Sequence, residues 1–449
     1  MAESQYRTTP VVTTGMPPGI PYIVVNEAAE RFMYYGMRSI LVIFMTKYLM
    51  DSSGALATMT ETDAKGWYHL FIASVYYFPL AGAVLADAVW GKFRTIMVLS
   101  VVYCLGSFAM ALDGTRLGLF AGMILISIGS GGIKPCVSAN VGDQFGPANQ
   151  HLLAKAFGWF YFSINVGSTF SMFLVPELMQ RYGPKVAFAV PGVLMVIATI
   201  AFWAGRHKFA HVPPAGMSYL KEVTSRDGLV VLGKLVILYA FVAVFFSLYD
   251  QSSSAWVLQA ERMDLHFLGK DWLPSQVQTA NPVLVLLYIP LFGYVVYPAI
   301  DKVFKLTPLR KIGIGLFITV LSFLLPAWIE AQLDAGHKLN VGWQMVSFML
   351  LTAGEIMVSV TCLEFSYTQA PRSMKSLLMA IYLASIASGN AFTSAVNFFI
   401  SDGKGGSRLT GPEYYLFFAA LMLVAALIFI PVAIFYKERT YLQEEAKAA

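Results

Sequence analysis

Twelve stretches of this chain are apolar enough, and long enough at 1.5 Å per helical residue, to cross about 30 Å of hydrocarbon. They lie near 21-50, 66-87, 94-113, 116-140, 151-176, 184-205, 229-256, 280-300, 308-328, 340-363, 374-401 and 412-436. Backbone amides in lipid must be satisfied inside their own segment, so runs of this length are helices. The fold expected is all-α and integral to a membrane. Composition agrees: 13% of the 449 residues are charged, against about 25% in soluble domains.

The first 20 residues are rich in Thr and Pro and lack a basic region before an apolar core, so they read as a flexible tail, not a signal peptide. The longest central interruption, Arg206 to Asp227 with Pro213-Pro214, divides the runs six and six. The expected organisation is a tail over 1-20, an N-terminal six-helix bundle over 21-205, a linker over 206-228, a C-terminal six-helix bundle over 229-436 and a tail over 437-449. The polar stretch 257-279 is expected as an outward-facing connector. An even number of spans leaves both termini on one side. Lys92, Arg94, Lys155, Arg206, Lys208, Lys221, Lys302, Lys305, Arg310, Lys311, Arg372, Lys375 and Lys437 fall on that side. The opposite face carries fewer, among them Lys65, Arg116, Lys270 and Lys404. The positive-inside rule then puts both ends in the cytoplasm.

The net charge of +5 is accounted for by this topology, and no nucleic-acid partner is inferred from it. Cys104, Cys136 and Cys362 lie in apolar runs with no framework spacing, which suggests packing residues and neither disulfides nor a metal. No His-Glu-x-x-His, Gly-x-Ser-x-Gly elbow or Cys/His cluster points to an enzyme or to a cofactor.

Charge inside the runs needs a reason, since each ionised group near the bilayer centre costs about 2.5 to 3.5 kcal/mol on insertion scales. The first run contains Glu27-Ala-Ala-Glu-Arg-Phe-Met-Tyr-Tyr-Gly-Met-Arg38. At 100° per residue, Glu27, Glu30, Arg31, Tyr34 and Arg38 fall within an arc of roughly 100°. That stripe must face another part of the protein. The fourth run holds Lys134 between Gly129, Gly131, Gly132 and Pro135, where missing side chains let a neighbour approach. Lys134 is the expected partner for the acids of the first run. Between the second and third runs, Gly82-Ala-Val-Leu-Ala-Asp87-Ala-Val-Trp-Gly91-Lys92-Phe-Arg94 resembles the loop motif of the major facilitator superfamily, a fold of two six-helix bundles.

Three blocks together resemble the motifs of the proton-coupled oligopeptide transporter family. They are Glu27-x-x-Glu30-Arg31-Phe32-x-Tyr34-Tyr35-Gly36, the Gly-Gly-Ile-Lys-Pro-Cys block around Lys134, and Phe160-Tyr161-Phe-Ser-Ile-Asn165-Val-Gly167. The stretch from Gly354-Glu355 to Ser376 looks particularly like the animal members. The resemblance implies that Arg31 and Lys134 recognise a peptide carboxylate and that Glu355 receives the amino terminus. It further implies that Asn165 and Asn281 bond the peptide backbone and that Tyr34, Tyr35 and Tyr76 line the cavity. Glu27 and Glu30, beside Arg31, are expected to exchange the coupling proton. His69 and Asp250 match a second proton site of the animal members, with an Arg38 to Asp250 bridge as a latch.

Departures accompany the match. The 206-228 connector has no room for the two extra helices of many bacterial members, and only about ten residues near 329-340 stand where animal members carry a large domain. Ser359-Val360 replaces a Ser-Pro found in many bacterial relatives, which puts a bend there in doubt. The expected function is symport of protons with di- and tripeptides, with the proton as coupling ion, no cofactor, and the lipid bilayer as setting. Oligomeric state is not legible, and a monomer is compatible with the chain. A carrier of another small solute such as nitrate, or a peptide-sensing receptor without turnover, are the alternatives. The absence of Asn-x-Ser/Thr sequons agrees with a bacterial inner membrane.

Overall fold

The structure, a computed structural model, describes residues 6–214, 226–368, 375–402 and 406–436. Residues 215–225 of the expected linker and the whole expected tail 437–449 lie outside the described residues, as do Lys221, Arg372, Lys404 and Lys437.

The chain folds into long helices: α1 (Ile20–Lys47), α2 (Glu61–Val84), α3 (Lys92–Leu112), α4 (Arg116–Gly142), α5 (Leu153–Tyr182) and α6 (Pro184–Ala204), then α7 (Arg226–Tyr249), α8 (Ala280–Leu291), α9 (Pro308–Asp334), α10 (Gly342–Glu355), α11 (Lys375–Ile400) and α12 (Pro412–Phe435). Their starts are written locally. Thr60, Thr115 and Thr307 each accept a hydrogen bond from a backbone N–H of the following turn, which satisfies a donor the helix cannot. Pro184 and Pro308 occupy first-turn positions where a missing N–H costs nothing.

Ten helical segments among the described residues are long and apolar enough to cross a membrane, and the protein is a multi-pass membrane protein. The helices α1 and α5 fall outside that set, although they run for 28 and 30 residues. In α1 the cause is the charge that makes it interesting.

Wide π turns interrupt three helices: Leu85–Trp90 continues α2, Phe292–Val296 continues α8, and Ile356–Val360 separates α10 from Thr361–Thr368. Where Ser359-Val360 puts a bend in doubt, the helix departs from α geometry without proline, by a π turn that inserts a residue into the α ladder. Ser359 there shares a hydrogen bond with Tyr382 of α11.

Helices α2 and α4 meet backbone to backbone. A Cβ on Gly82 would lie 2.0 Å from the carbonyl oxygen of Gly131, so glycine is obligatory at that crossing.

One apolar cluster draws on Ile20 through Phe209 together with Val257 and Leu258, and a second on Leu235 through Phe429, with Tyr76 packed against both. Between α7 and α8 the chain forms a short buried helix, Ala255–Ala260, and a hairpin of β1 (His266–Phe267) paired with β2 (Lys270–Asp271). Residues 6–19, expected as a flexible tail, contact the chain that follows α6 and the connection between α4 and α5. Tyr6 stacks on His211 at 4.5 Å between ring centroids, and Asn149 Nδ2 donates to the Gly15 carbonyl at 3.3 Å.

The halves are tied polar group to polar group at the end bearing Lys47. Lys47 pairs with Glu261. Ser401 Oγ donates to Asp63 Oδ1 (3.0 Å), Ser394 Oγ to the Gly66 carbonyl (2.8 Å), and Gln276 Nε2 to the Phe173 carbonyl (2.9 Å). Towards the Lys92 end the helices part around a cavity.

Candidate functional site

The polar stripe of α1 turns inward, as its arc requires. Arg31 Nε donates to Glu27 Oε1 at 2.7 Å and lies 3.3 Å from Glu30 Oε2, and Tyr103 Oη of α3 donates to Glu30 Oε1 at 3.2 Å. Both carboxylates are fully buried while Arg31 keeps a partly exposed flank. The expected pairing of Lys134 with these acids is not formed. Lys134 Nζ sits 3.8 Å above the Tyr34 ring and 4.8 Å from that of Tyr76, with no hydrogen-bond partner among the described residues. The physical reason is proximity: Arg31 is one turn from Glu27 on the same helix and claims its carboxylate first. Two aromatic faces leave the ammonium attracted but unbonded.

Arg31 and Lys134 face a cavity of about 730 Å³ that Tyr35 and Tyr76 also line, with Asp87 and Lys92 at its wall. Tyr35, Tyr76, Ile164 and Ile386 line in addition a recess of about 210 Å³, so the two volumes share a wall. Asn165, Asn281 and Glu355 line the recess. Glu355 Oε2 accepts from Asn281 Nδ2 at 2.8 Å, and Oε1 lies 3.0 Å from Tyr249 Oη. Asn281 Nδ2 also lies 3.1 Å from Thr352 Oγ1. Asn281, expected to meet a ligand, thus spends its amide on holding Glu355. Asn165 Nδ2 donates to its own helix at the Tyr161 carbonyl (2.9 Å). Cations from α1 and α4 accordingly face the cavity, and a carboxylate from α10 faces the recess on the other side of their shared wall.

Tyr34 does not line that space: it is fully buried beneath Lys134 and edge-on to Tyr35. Its placement follows from the stripe itself, which points at the bundle interior. Glu27 and Glu30 are likewise behind the wall.

A second network closes the Lys47 side. Arg38 Nη2 donates to Asp250 Oδ1 at 2.5 Å and Arg38 Nε to Tyr68 Oη at 2.6 Å. Asn390 Nδ2 donates to Asp250 Oδ2 (2.6 Å) and to the Ile386 carbonyl (3.0 Å). That leaves Asn390 Oδ1 to accept from His69 Nδ1 at 2.8 Å, while His69 Nε2 meets Ser254 Oγ at 2.9 Å. The network assigns the proton of a neutral His69 to Nδ1. His69 stands near a helix start, where a solvated ring is usual, yet it is fully buried.

Sequence reasoning missed Tyr68, Tyr103, Tyr249, Ser254 and Asn390. Asn390 carried a usable signal, an amide in an apolar run, the same one that marked Asn165 and Asn281. Among the described residues no group of three or more His, Cys, Asp or Glu side chains could hold a metal ion.

Comparison with known proteins follows the same lines. The family model described as the POT family matches residues 93–226 and 217–407. "Peptide transporter family 1" of Drosophila melanogaster is 38% identical over 71% of this chain and 48% of its own length. Human "Solute carrier family 15 member 2" is 33% identical over 77% of this chain and 53% of its own. The chain thus spans about half the length of these curated relatives. Among solved structures, the POT family transporter PepTSo superposes with a TM-score of 0.84 at 34% identity, over 94% of this chain and 98% of that one. An auto-inhibited POT family peptide transporter gives 0.86 at 32%, over 95% and 99%.

Proposed function

This chain belongs to the POT family, and from that premise we propose that it is a symporter using inward proton flow to import di- and tripeptides, without covalent chemistry. The observation that carries the proposal is the opposition of charge across two adjoining volumes that share Tyr35 and Tyr76, with Arg31 and Lys134 on the cavity of one half and Glu355 on the recess of the other. A di- or tripeptide extends about 7 to 11 Å, so a zwitterion anchored at its termini bridges two bundles while its side chains vary. Promiscuity follows from reading only what all peptides share. A nitrate carrier would have no use for Glu355.

In this reading twelve helices span the membrane, α1 and α5 included, in two six-helix bundles over 21-205 and 229-436 joined by a linker over 206-228. Both termini are cytoplasmic, and the cavity's mouth beside Asp87 and Lys92 faces the cytoplasm. Arg31 and Lys134 take the carboxylate, Glu355 the amino group, Asn165 the peptide backbone, and Tyr35 and Tyr76 form the walls. Asn281 and Tyr34 act from behind, by orienting Glu355 and Lys134. Alternating access rocks the bundles around this site. The Arg38–Asp250 pair, with His69, latches the side away from the mouth. Protonation of Glu27 or Glu30 removes a counter-charge from Arg31 and frees it for a peptide. The setting proposed is a cell membrane, and a monomer suffices for every step. Proton as coupling ion is the only co-substrate invoked.

The test is uptake of labelled dialanine into liposomes containing the purified protein. Accumulation is expected with an inward proton gradient and only equilibration without one. Equal uptake in both would end the symport reading, and binding without flux would favour a receptor.

A further inference from the structure

The strongest unused observation lies in the core of the α1–α6 half, apart from the cavity. Asn26 of α1 is fully buried, and neither its Nδ2 nor its Oδ1 has a hydrogen-bond partner among the described residues. An amide orphaned at both ends in an apolar interior costs several kcal/mol, and such groups are as a rule satisfied by internal water. Asn26 is one turn from Glu30, on the same face of α1. Glu30 Oε2, although close to Arg31, has no hydrogen bond. From α3, Tyr103 donates to the other Glu30 oxygen. Ser100, three residues earlier on the same helix face, is buried and its hydroxyl is also unpartnered.

A further unmet group of the same half lies towards the Lys92 end. Asn140 Nδ2 of α4 is unpartnered and buried, while its side-chain oxygen accepts from Gln144 Nε2 at 3.0 Å. Gln144 closes the column at the Lys92 end, where its Oε1 accepts from the Ala210 backbone N–H at 2.8 Å and faces Gly19, the residue preceding α1. Asn26 lies seven residues, two turns, beyond Gly19 on the same face. None of Asn26, Glu30, Ser100, Asn140 or Gln144 lines the cavity.

We propose that Asn26 and Ser100 seat water against Glu30, and that this buried column carries the proton between Glu30 and the Lys92 end without passing through the peptide cavity. The step balances simply: the Glu30 carboxyl gives its proton to the adjacent water, each water passes one on, and the carboxylate left behind is held by Arg31. Asn26 is a positioning residue, since an amide orients the water and itself transfers nothing. The charged and titratable groups facing Glu30 are Glu27 and Arg31 of α1, Tyr103 of α3 and Lys134 of α4. Tyr76 of α2 lies beyond Lys134 and Tyr161 of α5 near Arg31, whereas α6 carries one ionisable side chain, Lys185, at its opposite end. A private route lets the proton leave without passing through the volume that the bound peptide occupies.

The inference rests on the symport reading, and the two fail separately. Liposomes are prepared with wild type, Asn26→Leu, which keeps the branched shape and removes both polar ends, Asn26→Ser and Ser100→Ala. Each is assayed for gradient-driven dialanine uptake and for gradient-free exchange of labelled against unlabelled dialanine. Asn26→Leu should lose roughly 100-fold or more in driven uptake, the scale on which positioned proton transfer contributes, with exchange retained. Ser100→Ala should show a smaller loss in the same direction, and Asn26→Ser should recover driven uptake by admitting water. Undiminished driven uptake in Asn26→Leu overturns the column, as does an equal loss of driven uptake and exchange, which would mark Asn26 as structural. If wild type ignores the gradient, the symport reading falls and takes the column with it.

Discussion

At the scale of single residues, the site is a contest for counter-charges. Arg31 is satisfied by Glu27 and Glu30, while Lys134, hydrogen-bonded to no carboxylate among the described residues, rests on two tyrosine rings. A ligand carboxylate reaching Lys134 therefore breaks no existing hydrogen bond. On the other wall, Glu355 is oriented by Asn281 and Tyr249, so its charge is aimed before any amine arrives. Glu355→Gln keeps that shape and removes the charge. Binding of peptides with a free amino terminus should fall by more than about tenfold, a 1.4 kcal/mol effect, while N-acetylated peptides change little; titration calorimetry on the purified protein reads both, and matching losses would show that Glu355 does not meet the amine. The stripe Glu27, Glu30, Arg31, Arg38 was legible from helical phase alone, because a 100° arc of charge has only an interior to face. Lys134's aromatic seat was not, since phase says which side a group takes and not which of two nearby cations an acid will choose. The same limit hid the retreat of Tyr34 behind the wall.

Among the helices, hydropathy located each run to within a few residues, because hydrocarbon thickness sets length and polar residues set the ends. What it could not reach was internal shape. The π turns at Leu85–Trp90, Phe292–Val296 and Ile356–Val360 leave no hydropathic trace. The glycine pattern was readable as close approach, but its partners were not: Gly82 and Gly131 meet each other, and Gly131 also meets Phe78. At that crossing the obstacle is a backbone carbonyl that cannot swing aside. Gly82→Ala should destabilise by at least the usual cost of overpacking, about 1–3 kcal/mol, and lower the melting temperature in detergent. Gly158→Ala on α5, where an added Cβ meets nothing within 4 Å, should leave it unchanged or raise it. Equal melting points for both variants would contradict the packing argument.

For the whole molecule, the asymmetry between its two ends is the governing fact. Lys47–Glu261, Asp63–Ser401, His69–Asn390 and Arg38–Asp250 all bind one half to the other on a single side. Arg38 and Asp250 are both buried, and removing one partner of such a pair costs about 3–5 kcal/mol because the other charge is stranded. Asp250→Asn should accordingly release that side. Spin labels at Asp51 and Lys338, exposed on the two halves, should report a longer-distance population in the variant than in wild type. An unchanged distance distribution would mean that the remaining ties suffice to hold the halves together. The Arg38–Asp250 tie was expected because Arg38 lies on the charged stripe of α1 and the family resemblance singles out Asp250. The Lys47–Glu261 tie was not, since surface charge is common and its pairing depends on how the halves meet.

The backbone contact of α2 with α4 reaches further than packing. His69 and Tyr76 stand two turns apart on one face of α2, the first fastened to α11 and the second under the ammonium of α4. With Gly82 seated against Gly131 there is no slack between these helices, so α2 works as a stiff lever with one arm at each station. Tilting α2 at the imidazole would therefore also shift the aromatic floor on which Lys134 rests.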